Sequence, residues 1–255
     1  MNLTRRFGRR FCDYVMFDPR GDVRHTLVAH LLRHKRFIQY HSSTKWRDSW
    51  RRVLPRHTFI CRQEFFHRIA AECDLLPDVA FPWPWLKHFK ADGQEKHARR
   101  VLIAPEASNK LRYWKSDRWK LLSKILGLNG WRVTLVSHRH DAITQIALDD
   151  FDDIWRGSLS ELAQLIGISH AVIAVDSFVG HLAAAIGTPV VSLFGPQAPE
   201  GWRPWGQETS IVIVDGFPCR PCGQKICVCP FDSCMDAIQV DQVMCTFKGL
   251  MVNKA

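Results

Sequence analysis

From residue 101 onward, short apolar runs alternate with segments in which apolar residues recur every three or four positions. The runs VLIAP (101–105), WRVTLVS (131–137), AVIAVD (171–176) and PVVSLFG (189–195) read as strands. Between them lie helical patterns: SDRWKLLSKILGLNG (116–130), stopped near Gly130, and DAITQIAL (141–148). A third, SLSELAQLIGIS (158–169), carries Ser158 and Glu161 at capping-box spacing. A fourth helix opens after Asp176 and closes at the glycine of GTP, Gly187. Strands alternating with helices imply right-handed crossovers, so this half is expected to be α/β, a parallel sheet with helices on both faces.

The first hundred residues are less regular. DYVMFD (13–18) and RFIQY (36–40) read as strands, with a helical pattern, DVRHTLVAHLL (22–32), between them. HSSTKWRDSWRRVLPRH (41–57) is a polar, basic loop, and QEFFHRIAAECDLL (63–76) places Phe66, Ile69, Ala70 and Cys73 on one helical face. Three prolines within residues 77–84 forbid a regular element there. The expected organisation is a partial N-terminal α/β domain over 1–78, a linker over 79–100 and a C-terminal α/β domain over 101–255.

Composition adds three points. At 255 residues and 46% hydrophobic, the chain can bury a substantial core. It has no apolar run long enough for a membrane span, and its arginine-bearing start lacks the apolar stretch of a secretory signal, so a cytoplasmic protein is expected. Of 35 Lys and Arg, 21 fall in residues 1–100, against 10 of the 25 Asp and Glu, so the net charge of +10 originates there. Such a surface attracts phosphates on nucleic acid, anionic lipid or phosphorylated sugars.

In a parallel α/β sheet, ligands bind beyond the carboxyl ends of the strands. VDSFVGHLAAAIGTPVVSLFGP (175–196) begins at such an end. Asp176 or Ser177 is expected to cap the helix, whose first-turn N–H groups and dipole attract an anion. His181 lies one turn beyond Ser177 on the same face and can donate a hydrogen bond to a phosphate or sugar oxygen. Gly195, at the end of the next strand, would permit close backbone approach. The tryptophans of WRPWG (202–206) suit either a base or sugar face or packing beneath a loop. Opposite, the loop APEASNKLRYW (104–114) offers Ser108, Asn109, Lys110 and Arg112 as donors to a diphosphate, with Glu106 opposing.

Cys219, Cys222, Cys227, Cys229, Cys234 and Cys245 cluster near the end of the chain. The first five have the close spacings that admit a structural zinc, disulfides or reduced packing thiols.

Taken in order, APEASNKLRYWKSDRW, VDSFVGHLAAAIGTPVVSLFGP, WRPWG and CRPCGQKICVCPFDSCM resemble the C-terminal half of glycosyltransferase family 9, the lipopolysaccharide heptosyltransferases, over about residues 101–243. The resemblance implies a GT-B arrangement of two Rossmann-like domains, the second binding a nucleotide sugar, ADP-heptose. It implies diphosphate contacts from Ser108 and Arg112, and a donor site lined by Asp176, Ser177 and His181. Three positions depart from the family pattern: Phe178 and Glu106 stand where it has glycines, and Arg112 where it has lysine. The family's opening strand and glycine-bearing loop with its catalytic aspartate have no counterpart before Asp13, so an N-terminally shortened member, or one that pairs with a partner, is expected.

The expected activity is therefore inverting transfer of a heptose-like sugar to a lipopolysaccharide core or related glycan. Asp18 and Asp22, beyond the first strand, are the candidate bases, though both also suit a turn around Gly21. The scheme needs no metal. The expected partners are a nucleotide sugar and a phosphorylated glycolipid, with peripheral contact at the inner face of the plasma membrane. Two other classes compete: a non-catalytic remnant that binds nucleotide sugar, and a basic nucleic-acid-binding protein, for which no recognition module is legible.

Overall fold

Continuous apolar runs bury both faces of a strand, and such strands pack only inside a layered sheet. The structure, a computed structural model, describes residues 12–17, 34–40, 86, 89, 99–137, 151–222, 226–229 and 232–252. The chain divides into two compact units, Met1–Asp78 and Val79–Ala255. In the first, β1 (Cys12–Phe17) and β2 (His34–Tyr40) pair in parallel, with a register irregularity between Cys12 and Tyr14.

The second unit carries β3 (Arg100–Ala104), β4 (Arg132–Val136), β5 (Asp153–Trp155), β6 (Ala171–Val175), β7 (Val190–Phe194) and β8 (Thr209–Ile213). All pair in parallel, in the order β5–β4–β3–β6–β7–β8. The strand sequence therefore runs outward from β3 to one edge, returns to the centre at β6 and runs to the other edge. That is the doubly wound order, with its switch point between β3 and β6.

The helices are α1 (Ser116–Leu128), α2 (Leu159–Gly167), α3 (Phe178–Ile186), the single turn α4 (Pro199–Trp202) and α5 (Val240–Val252). Strand alternation sorts their partners. Val101, Ile103, Val133, Leu135, Ile173 and Leu193 join one core layer with Trp119 and Leu122 of α1 and Val243 and Phe247 of α5. Leu102, Ala104, Val172, Ala174 and Val190 face the other way, onto Leu162 and Ile166 of α2 and Ala183 and Ile186 of α3. Each fully buried aliphatic side chain contributes roughly 1.5–3 kcal/mol. Leu86, within the expected linker, is buried in this second layer, and Phe89 packs against it.

Local signals are placed as the pattern predicts. Ser158 accepts from the Glu161 N–H while Glu161 accepts from the Ser158 N–H, completing the capping box. Gly187 ends α3 at φ 86°, a left-handed conformation that favours glycine. Pro189 directly precedes β7, where a missing N–H costs the ladder little, and its carbonyl accepts from the Val172 N–H at 2.8 Å. Four of these elements escaped the pattern: β5, β8, α4 and α5. The expected helices over 22–32, 63–76 and 141–148 lie outside the described residues.

Candidate functional site

The switch point separates the loops leaving β3 and β6, and a crevice there is where such sheets bind ligands. The loop after β3 is shaped by its own polar residues. Asn109 Oδ1 accepts from the Leu111 N–H at 3.0 Å, and Arg112 N–H donates to the Asn109 carbonyl at 3.0 Å. The resulting 3-10 turn, Lys110–Arg112, brings Arg112 round to face β6. Asn109 thus serves the turn. Glu106 accepts a hydrogen bond from Ser137 at the end of β4, which occupies one of its carboxylate oxygens.

Arg112 Nη1 donates to the Asp176 carbonyl at 3.2 Å and stands 3.4 Å from Asp176 Oδ2. The Asp176 side chain is 4% exposed, and that Oδ2, though in ion-pair range, finds no aligned hydrogen-bond donor among the described residues. Burial pushes the Asp176 carboxyl above its ordinary range, against the opposing pull of Arg112. His181 is held below the ordinary imidazole value, first by burial and then by the Arg112 charge. The ring is therefore neutral at pH 7. Arg112, Asp176 and His181 form one electrostatic group built from two loops.

The helix start differs from expectation. Ser177 occupies the N-cap position of α3 in an extended conformation, φ −151° and ψ 168°, but its side chain makes no capping bond. Its Oγ is buried and unpartnered among the described residues. The hydroxyl and the first-turn N–H groups of this nine-residue helix are thus left for an incoming oxygen. Phe178, at the first helical position, is 56% exposed and stays out of the core.

The remaining candidates divide. Ser108 and Lys110 are exposed on the β3 loop. At Gly195, expected to permit close ligand approach, a Cβ would meet Met235 Cγ and Sδ at 2.5 Å and Cys234 Sγ at 3.2 Å, so the chain's own tail fills the space on that side. In the WRPWG loop Pro204 is buried, Trp202, Trp205 and Gly206 are half-buried, and Arg203 is exposed. A Cβ on Gly180 would meet Pro204 at 3.3 Å, and one on Gly206 would meet Ala184 at 3.1 Å. Asp18 and Asp22 lie outside the described residues.

One contribution was not foreseen. Trp114 Nε1 donates to the Ile238 carbonyl at 3.0 Å, Arg118 donates to the carbonyls of Asp236 and Ile238, and Lys115 pairs with Asp232 and Asp236. The tail thereby anchors the segment just after Arg112. The Trp114 and Arg118 contacts are to backbone carbonyls, which side-chain patterning does not reveal. Among the described residues no group of three or more His, Cys, Asp and Glu stands ready to hold a metal ion, and no helix is long and apolar enough to cross a membrane.

A doubly wound parallel domain that sets an arginine and an uncapped helix N-terminus at its switch point belongs to the class of α/β domains suited to phosphorylated ligands. Glycosyltransferase family 9 (heptosyltransferase) matches residues 77–231, and the chain belongs to that family. It is 33% identical over 121 residues to lipopolysaccharide heptosyltransferase 1 of Pseudomonas aeruginosa, a match covering 46% of this chain and 34% of that protein. It is 33% identical over 121 residues to lipopolysaccharide heptosyltransferase 3 of Escherichia coli, covering 41% of this chain and 33% of that one. The chain thus spans about a third of the length of the curated relatives it matches. Among solved structures, E. coli heptosyltransferase WaaC with ADP aligns at TM-score 0.58 and 16% identity, over 93% of this chain and 73% of that one. The family 9 glycosyltransferase of Veillonella parvula aligns at TM-score 0.61 and 12% identity, over 98% and 77%. These two likenesses establish the fold.

Proposed function

We propose that this chain binds an ADP-linked heptose at the β3–β6 crevice and transfers the sugar to a lipopolysaccharide core or related glycan. The observation that carries this reading is the Arg112–Asp176 pair beside the unpartnered Ser177 hydroxyl and the open start of α3. Relatives named as lipopolysaccharide heptosyltransferases, and a fold neighbour bound to ADP, support the donor and acceptor.

Arg112, Ser177 and the α3 N-terminus hold the diphosphate, with Ser108 and Lys110 adding donors from the loop. Asp176 Oδ2, a buried acceptor without an aligned donor, takes a sugar hydroxyl, and neutral His181 donates to a phosphate or sugar oxygen. An acceptor hydroxyl attacks the anomeric carbon, its oxygen–carbon bond forming as the bond to the diphosphate oxygen breaks. The configuration inverts. The hydroxyl proton passes to a carboxylate, with Asp18 and Asp22 the candidate bases, and the leaving diphosphate charge is met by Arg112 and the helix dipole. A lipid-linked acceptor places the reaction at the cytoplasmic face of the inner membrane, where the basic first hundred residues meet anionic headgroups.

Calorimetry with ADP and ADP-heptose, followed by turnover with a lipid A–core acceptor, tests the proposal. Binding of both nucleotides with sugar transfer is the expected result. Binding without transfer would leave a nucleotide-sugar-binding module, and absence of ADP binding would sink the reading.

A further inference from the structure

The loop after β7 takes no part in the diphosphate scheme, yet it lies along the same helix. At Gly206 a Cβ would meet the Ala184 carbonyl at 3.1 Å, and at Gly180, one turn nearer the start of α3, a Cβ would meet Pro204 at 3.3 Å. Two extended residues span about 7 Å and one helical turn about 5.4 Å, so the loop follows α3 turn for turn. The two residues before Pro204, Trp202 and Arg203, are thereby carried toward the turn that begins at Phe178. Arg203 is exposed, and Phe178 is 56% exposed. Sheet order sets the side on which they stand. Arg112 reaches α3 from β3, whereas this loop follows β7, and those strands flank β6 on opposite sides.

We propose that Phe178 and Arg203 form the subsite for the transferred sugar, Phe178 covering the apolar C–H face of the ring and Arg203 donating to its hydroxyls. The subsite rests on the diphosphate reading above and extends it. Phe178 is the first residue of α3, so its own N–H is among the free first-turn donors. A phosphate bound to that N–H sets its next substituent within reach of the Phe178 ring. The aromatic ring offers a rigid apolar surface, and the guanidinium offers donors in fixed geometry. Two observations favour the sugar over the nucleoside on this side. The transferred ring must stay open to an acceptor, and Phe178 and Arg203 are both exposed. Asp176, two residues before Phe178, keeps a buried Oδ2 without an aligned donor, which suits a group rich in hydroxyls.

The test compares ADP with ADP-heptose by calorimetry on the full chain, because only the second carries the sugar. Covering the exposed half of a phenylalanine is worth roughly 5- to 15-fold in affinity. Phe178→Ala should therefore weaken ADP-heptose by that factor and leave ADP within about twofold. Phe178→Tyr keeps the ring and should hold ADP-heptose near the parent's affinity. Arg203→Gln should weaken ADP-heptose by roughly 2- to 10-fold, again sparing ADP. Retained ADP binding shows that each variant is folded, and Arg203→Gln, at an exposed position, decides if Phe178→Ala fails to fold. Equal losses for the two nucleotides would place the nucleoside or the diphosphate here and overturn the sugar subsite, as would no loss for either. A parent chain that binds neither nucleotide would instead remove the diphosphate reading, and the subsite with it.

Discussion

At the scale of single residues, Arg112 faces two demands, since the diphosphate it is proposed to hold competes for a guanidinium already engaged by Asp176. Replacing it with alanine removes a charge-assisted contact worth about 1.5–3 kcal/mol, so Arg112→Ala should weaken ADP binding by roughly 10- to 150-fold by calorimetry. Arg112→Lys keeps the charge but loses the planar fork, and should fall between the two. The neighbouring titrations have opposite signs. His181 is held low in the folded state, so its contribution to stability is whole above the unfolded value of about 6.5 and is lost as pH falls through its folded value. Asp176 is raised, so its contribution is whole below about 3.9 and is lost as pH rises through its folded value. Urea denaturation across pH 4 to 8 should therefore show Asp176→Asn more stable than the parent at neutral pH. His181→Gln should show a flatter decline below pH 6.5. An unchanged pH profile in both variants would contradict these assignments. The residues of this group were legible in sequence because a serine, a histidine and an aspartate interrupt an otherwise apolar strand–helix unit. The unfilled cap was not legible: residue type places Ser177 at the N-cap, but only its conformation shows that the hydroxyl leaves the helix end open.

At the scale of elements, buried parallel strands announce themselves as continuous apolar runs, which is why β3, β4, β6 and β7 were visible. The edge strand β5 is three residues long and only half-buried, and β8 is mostly half-buried, so neither gives a strong run. α2 depends on its capping box. Ser158→Ala should cost about 1 kcal/mol, a fall in Tm of roughly 2–4 °C, without changing ADP affinity. Gly195 makes the sharper test, because its missing side chain leaves room for Met235. Gly195→Ala drives a methyl into fully buried Met235 and should cost about 1–3 kcal/mol in chemical denaturation. Met235→Ala in the same chain should recover part of that loss. Additive losses in the double variant would mean that the two side chains do not share this space.

At the scale of the whole molecule, two features compete to define the ligand. The excess positive charge lies in the first hundred residues, whereas the proposed diphosphate site lies in the second unit, at residues 112 and 176–181. A diffuse basic surface attracts any polyanion, through counterion release and with steep salt dependence. A helix N-terminus with one arginine takes a compact diphosphate, and being partly enclosed it is screened less. The two can be separated on the intact chain. ADP at about 100 times its Kd adds about 2.7 kcal/mol of stability, raising Tm by roughly 5–10 °C. That shift should persist between 50 and 200 mM salt, whereas binding to duplex DNA should fall by orders of magnitude over the same range. Arg112→Ala should abolish most of the ADP shift while leaving DNA retention unchanged, because the arginine belongs to the crevice and not to the basic N-terminal portion. If the ADP shift disappears with salt as DNA binding does, the nucleotide is held by general charge, and the crevice is not its site.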